Sequence, residues 1–70
     1  MRVTIKNNIN VPIGWLDDNG SQIQAIHRTR GVVGFYNKSS DITFYQNGKI
    51  YCYGDGSQCL VRDAERGYLR

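Results

Sequence analysis

Few residues of this chain can do chemistry: one histidine, His27, two cysteines, Cys52 and Cys59, six carboxylates and four serines. A histidine acts as a base only with a nucleophile or carboxylate held beside it. Ser21, Ser39, Ser40 and Ser57 all lie in turn-like stretches, where hydroxyls bond local backbone. His27 therefore reads as a structural or surface residue. Asp17, Asp18, Asp41, Asp55, Asp63 and Glu65 fall in or beside turns, and so short a chain offers little depth for the facing carboxylates of glycoside hydrolysis. Gly54-Asp55-Gly56-Ser57 is glycine-rich, but it lacks the Lys-Ser/Thr and the following helix of a phosphate-cradling loop. Two cysteines and one distant histidine cannot complete a tetrahedral metal site. No catalytic residue, metal or cofactor is expected, and the chain does not read as an enzyme.

The cysteines have a second use. If Asp55-Gly56 is a two-residue hairpin turn, Cys52 and Cys59 fall directly opposite one another. The pair would be a hydrogen-bonded one, with Cα atoms about 5.5 Å apart, within disulfide range but better suited to free thiols in a reducing compartment. Near neighbours, mostly reduced, is the expectation.

The aromatic residues have more to offer. Phe35, Phe44 and Trp15 are candidates for the core, whereas tyrosines with one wet end suit interfaces and ligand platforms. Tyr51 and Tyr53, with Lys49, Arg28 and Arg30 near turn ends, form the candidate ligand-binding set, a basic stacking surface for a nucleotide or phosphorylated ligand.

The elements that position these residues follow from composition and spacing. Seventy residues make one domain, 1–70, with a thin core. Eight glycines, five tyrosines and many Ile and Val favour strands and tight turns. Apolar and polar residues alternate in short runs between Asn/Asp/Gly/Ser clusters, which predicts an all-β antiparallel meander. Strands are expected near 2–6, 9–16, 22–27, 32–36, 41–46, 49–53, 58–62 and 67–69. A single helical turn within 60–66 is the alternative there. Asn47-Gly48 has the residues of a type I′ turn. Pairing across it would set Tyr45 against Ile50 and Phe44 against Tyr51. One hairpin face would then carry Ile42, Phe44, Tyr51 and Tyr53, the other Thr43, Tyr45, Ile50 and Cys52. Both faces are partly apolar, so both should be covered, by the chain's own sheet or by another chain.

Gly31, Gly48 and Gly67 each open a strand and follow an apolar-led one (Ile23–Ile26, Ile42–Tyr45, Leu60–Asp63), and a weaker copy runs from Val3 to Trp15. About four β-hairpin units would fill the chain. Asn47-Gly48-Lys49-Ile50 and Leu60-Val61-Arg62-Asp63-Ala64-Glu65-Arg66-Gly67 resemble repeats of the small bacterial four-fold β-flower proteins. In those repeats apolar-x-apolar-Asp is followed by spaced glycines. Only the last unit has the Asp, at Asp63, and Cys52 stands where a second Gly would be. The resemblance implies a fold of short β-hairpin repeats and no site residues.

Nine Lys/Arg against six Asp/Glu give a net charge of +3 and a pI near 9.1, too weak to diagnose nucleic-acid binding. No apolar run is long enough to span a membrane and the first residues lack a signal-peptide core, so a cytoplasmic protein is expected. The functional expectation is a non-enzymatic binding module, a homo-oligomer that uses aromatic and basic residues to hold a small anionic ligand or a protein partner. A phage or bacterial accessory or counter-defence protein fits that profile. The alternative is a small oligonucleotide-binding β-barrel, although the Lys-Gly-Phe-Gly-Phe type of strand is missing and Gly31-Val32-Val33-Gly34-Phe35 is its nearest run.

Overall fold

A computed structural model describes residues 2–67. Six strands form one antiparallel sheet in sequence order: β1 (Arg2–Lys6), β2 (Pro12–Asp18), β3 (Gln22–His27), β4 (Gly31–Asn37), β5 (Ile42–Tyr45) and β6 (Ile50–Tyr53). A helix, α1 (Ser57–Arg66), follows and lies across β2, β3 and β4. The expected meander is present, and three of the expected repeats are its three hairpins.

The hairpins are copies of one another. In each, five residues separate a register pair, Lys6↔Pro12, Ile26↔Val32 and Phe44↔Ile50, and the next residue is a bulge: Ile13, Val33 or Tyr51. Gly14, Gly34 and Cys52 follow the bulges, so Cys52 does occupy the place of a repeated glycine. Bulging sends two consecutive side chains to one face and sharpens the local twist. Ile13 and Val33 are thereby driven into the core while Gly14 and Gly34 lie flat beneath the helix. The Cβ that Gly14 lacks would meet the Ile26 carbonyl and lie 2.7 Å from Val61; that of Gly34 would meet the Phe44 carbonyl and lie 2.7 Å from Leu60.

The fourth unit is not a hairpin. Ser57, Leu60, Val61 and Ala64 are buried at i, i+3, i+4 and i+7, the stripe of a helix rather than the alternation of a strand. Neither the strand expected at 58–62 nor an Asp55-Gly56 hairpin forms. Ahead of the helix, whose N-cap is Gly56, the Asp55 carboxylate accepts the Ser57 N–H at 3.1 Å and the Ser57 hydroxyl at 2.6 Å, an Asx turn that leads into it. Gly67, at φ 78°, closes it. The other strand expected there, 67–69, lies beyond Gly67 outside the described residues. Ten residues hold no helix alone. Packing against Ile5, Ile13, Leu16, Ala25 and Val33 stabilises this one, with Leu60 and Val61 wholly buried, each worth about 1.5–3 kcal/mol.

The Asn47-Gly48 turn also differs in type. Gly48 N–H donates to the Tyr45 carbonyl at 2.9 Å and Tyr45 N–H to the Lys49 carbonyl at 2.7 Å. Gly48 has φ 92° while Asn47 is not left-handed. This is a three-residue loop ending in a left-handed glycine, not a type I′ turn. Ile42↔Tyr53 and Thr43↔Cys52 keep the expected register, but Phe44 pairs with Ile50 rather than Tyr51.

Helix contacts and alternation assign the two faces. One is covered by α1. The other carries Trp15, Ile26, Val32, Phe35, Ile42, Phe44, Ile50 and Tyr53; among the described residues no strand or helix covers it, and the Arg2 guanidinium lies over the Trp15 ring at 5.9 Å. Phe35 stacks on Phe44 across strands at 5.2 Å between centroids.

Candidate functional site

The bulges also align the turns. The Ile13 carbonyl accepts the Arg28 N–H and the Val33 carbonyl accepts the Gln46 N–H, each at 3.0 Å. In both cases the first turn residue of one hairpin is tied to the bulge of the hairpin before it. All three turns therefore line one end of the sheet. The helix C-terminus arrives at that end too, where the Arg62 guanidinium donates to the Lys6 carbonyl at 3.3 Å. Among the described residues this end carries Lys6, Arg28, Arg30, Lys49, Arg62 and Arg66 against two acids, Glu65 and Asp63, the latter next to Arg62 on α1 and bonded by the Tyr51 hydroxyl. The opposite end carries Asp17, Asp18, Asp41 and Asp55 against Arg2 and Lys38. The +3 of the sequence is thus a residue of two opposed poles, and a field of that kind steers charged partners.

Each pole carries ion pairs and a cleft, that of the acidic end about 480 Å³ and lined by Gly20, Ser21, Gln22, Asn37, Lys38 and Ser39. At the acidic end Lys38 bonds both oxygens of Asp18 at 2.9 Å, which holds that carboxyl below its ordinary range, helped by the Gly20 N–H. Arg2 reaches Asp17 at 3.5 Å. The Tyr36 hydroxyl donates to Asp41 at 2.6 Å, and that bond pushes the phenol up. At the basic end a cleft of about 370 Å³ opens between the first turn and the helix end, lined by Asn7, Asn8, Ile13, Arg62, Glu65 and Arg66. Its amide and guanidinium donors suit an anion, while the Glu65 carboxylate that also lines it is engaged by His27 and Arg28.

His27 sits beneath this end, 5% exposed. Its Nδ1 accepts the backbone N–H groups of Thr29 at 3.2 Å and Arg30 at 3.3 Å. Those donors fix the tautomer, so Nε2–H donates to Glu65 at 2.8 Å. Glu65 meanwhile accepts Arg28 at 2.9 Å. The Thr29 hydroxyl lies 3.1 Å from Nδ1, so hydroxyl, imidazole and carboxylate stand in the order of a nucleophilic triad. The lone pair a general base would use is already shared between two backbone amides. The group is built to shape the β3–β4 turn and pin the helix to it. Glu65 lies 38 positions from His27, and no spacing rule could have joined them.

The expected binding set is divided. Arg28, Arg30 and Lys49 share the basic end, as aligned turns require. Tyr51 and Tyr53 do not share a face, because the bulge at Tyr51 reverses it. Tyr51 points to the helix, where its hydroxyl donates to Asp63 and its ring meets Tyr45 edge-on at 5.2 Å. Burial first, then Asp63, pushes its phenol up, keeping it a donor. Tyr53 lies on the open face, 78% exposed, toward the acidic end. Sequence reading missed Lys6, Arg62 and Arg66, because a strand at 58–62, or a single helical turn within 60–66, does not carry the two arginines to this end as the ten-residue helix does.

Cys52 and Cys59 are free thiols, half-buried on β6 and exposed on α1, rather than cross-strand partners. A helix does follow Gly54-Asp55-Gly56, and the Asp55 carboxylate accepts the first N–H of that helix, from Ser57. Among the described residues no cluster of three His, Cys, Asp or Glu is placed to hold a metal ion, and no helix is long and apolar enough to cross a membrane. No family model matches the chain, and no curated protein or solved structure is significantly similar to it.

Proposed function

We propose that this chain is a non-enzymatic, self-associating binding module of the cytoplasm that holds an anionic ligand at the basic end of its sheet. The separation of charge carries the reading: six cations, against Glu65 and Asp63, converge where three turns and the helix end meet. The tied-up His27 lone pair and the two free thiols agree with it. Tyr53 is left to contacts on the open face, and Tyr51 supports the helix.

Inorganic tripolyphosphate is the direct probe, followed by calorimetry at 50 mM NaCl. The double variant Arg30→Ala, Lys49→Ala, which spares the Arg28–Glu65 pair, should weaken binding about tenfold and flatten its salt dependence. Undetectable binding, or binding unchanged in the double variant, would refute the proposal.

A second reading rests on Trp15, Phe35, Phe44 and Tyr53 facing one way on an open sheet beside cations, the arrangement on which single-stranded nucleic acid stacks. A labelled oligothymidine bound far more tightly than tripolyphosphate, and weakened by Tyr53→Ala, would favour it.

A further inference from the structure

Resting on the reading that the chain self-associates, we propose that two copies pack through their helix-free sheet faces, with the two-fold axis lying in the interface and running across the strands. Four observations select this occupant and this orientation.

The first is the make-up of the face. Trp15, Ile26, Phe35, Phe44, Ile50 and Tyr53 form a continuous apolar surface, with Ile50 48% and Tyr53 78% exposed in the single chain. Arg2, Thr4, Asp17, Gln24 and Asn37 frame it. An apolar centre inside a polar frame is the anatomy of a protein interface. Branched aliphatic residues among the rings suit a second sheet better than flat bases.

Size is the second. The molecule measures 33 × 27 × 17 Å, so the face offers on the order of 800 Å², about what each partner of a stable complex contributes.

The edges are the third. Beyond Tyr53 the chain leaves the sheet at Gly54, φ 83°, leaving β6 only four residues long. β1 begins with Arg2 and ends with Lys6. Short and cationic edges resist strand addition, so growth through the edges is closed while the face stays open.

Charge is the fourth. Each copy is basic at one end of its strands and acidic at the other. An axis along the strands would set like poles together. An axis across them sets each basic end over the partner's acidic end, the self-complementary arrangement a two-fold interface needs.

Sedimentation of the full chain at micromolar concentration should give about 16 kDa, twice the 8.0 kDa monomer. The exposed positions allow a test without loss of fold: Ile50→Lys with Tyr53→Lys should weaken the dimer at least about a hundredfold while leaving circular dichroism unchanged. Carbodiimide cross-linking of a mixture of heavy- and normal-isotope chains should join Lys49 of one copy to Asp41 or Asp55 of the other. A monomer throughout would remove both this inference and the self-association it rests on. An oligomer indifferent to the two lysines would remove the inference alone. Inter-chain links confined to like ends would overturn the orientation.

Discussion

Gly34→Val should leave most of the chain unfolded at 25 °C. The glycine is not left-handed, so the backbone would accept a side chain; space would not. A Cβ there would press on the Phe44 carbonyl of the neighbouring strand and lie 2.7 Å from the Leu60 side chain above. The carbonyl belongs to the β4–β5 ladder and Leu60 is wholly buried, so neither moves without losing pairing or core. Overpacking of this kind costs about 1–3 kcal/mol for a few methylenes in a core that can shift, and more where the obstacle is backbone. A domain of this size holds only about 3–5 kcal/mol. Gly14→Val should behave alike through Ile26 and Val61. Gly20→Ala, with nothing within 4 Å but φ 102°, serves as the control. It should cost only about 1–2 kcal/mol of backbone strain. Urea titration followed by circular dichroism reads all three; a Gly34→Val midpoint equal to that of the parent chain would mean the helix does not rest on that glycine.

The second large effect is polar. Thr43 is completely buried. Its hydroxyl donates to the Gly54 carbonyl at 2.6 Å and accepts the Gly56 N–H at 2.8 Å, tying β5 to the loop that launches the helix. Thr43→Val keeps the shape and removes both bonds, orphaning the buried Gly56 N–H and the half-buried Gly54 carbonyl. Each orphaned group costs about 1–3 kcal/mol, so a loss of about 2–4 kcal/mol is expected. Thr43→Ser keeps the hydroxyl and should retain most of that stability. Equal losses in the two variants would show that the methyl, not the hydroxyl, matters here.

These sites show what the sequence made legible. Alternation revealed the strands, and the return of glycine at Gly31 and Gly48 marked two of the three hairpins, whereas Gly67 closes the helix instead of opening a strand. The bulges were hidden, because an extra residue leaves no mark in a two-residue period until a partner strand is known. From that one omission came the displaced Tyr51 and the false pairing of Phe44. The helix was half legible: a single turn within 60–66 stood as the alternative to a strand, and its full length, Ser57–Arg66, did not. Leu60 and Val61 are adjacent, as a half-buried strand would not have them, and with Ser57 and Ala64 they complete a helical stripe. Asp55-Gly56 suits a hairpin turn as well as it suits the lead-in to a helix. Without the helix, Arg62, Glu65 and Arg66 had no place near His27, and the basic end stayed half assembled.

An amide-resolved titration tests the basic end most directly: ¹H–¹⁵N spectra of the full chain recorded while tripolyphosphate is added. The shifts should gather at Lys6–Asn8, Arg28–Gly31, Asn47–Lys49 and Arg62–Arg66, saturate together, and fade as salt rises. Shifts scattered over the surface, or centred on the turns that carry Asp18, Asp41 and Asp55, would contradict a binding site built at that end.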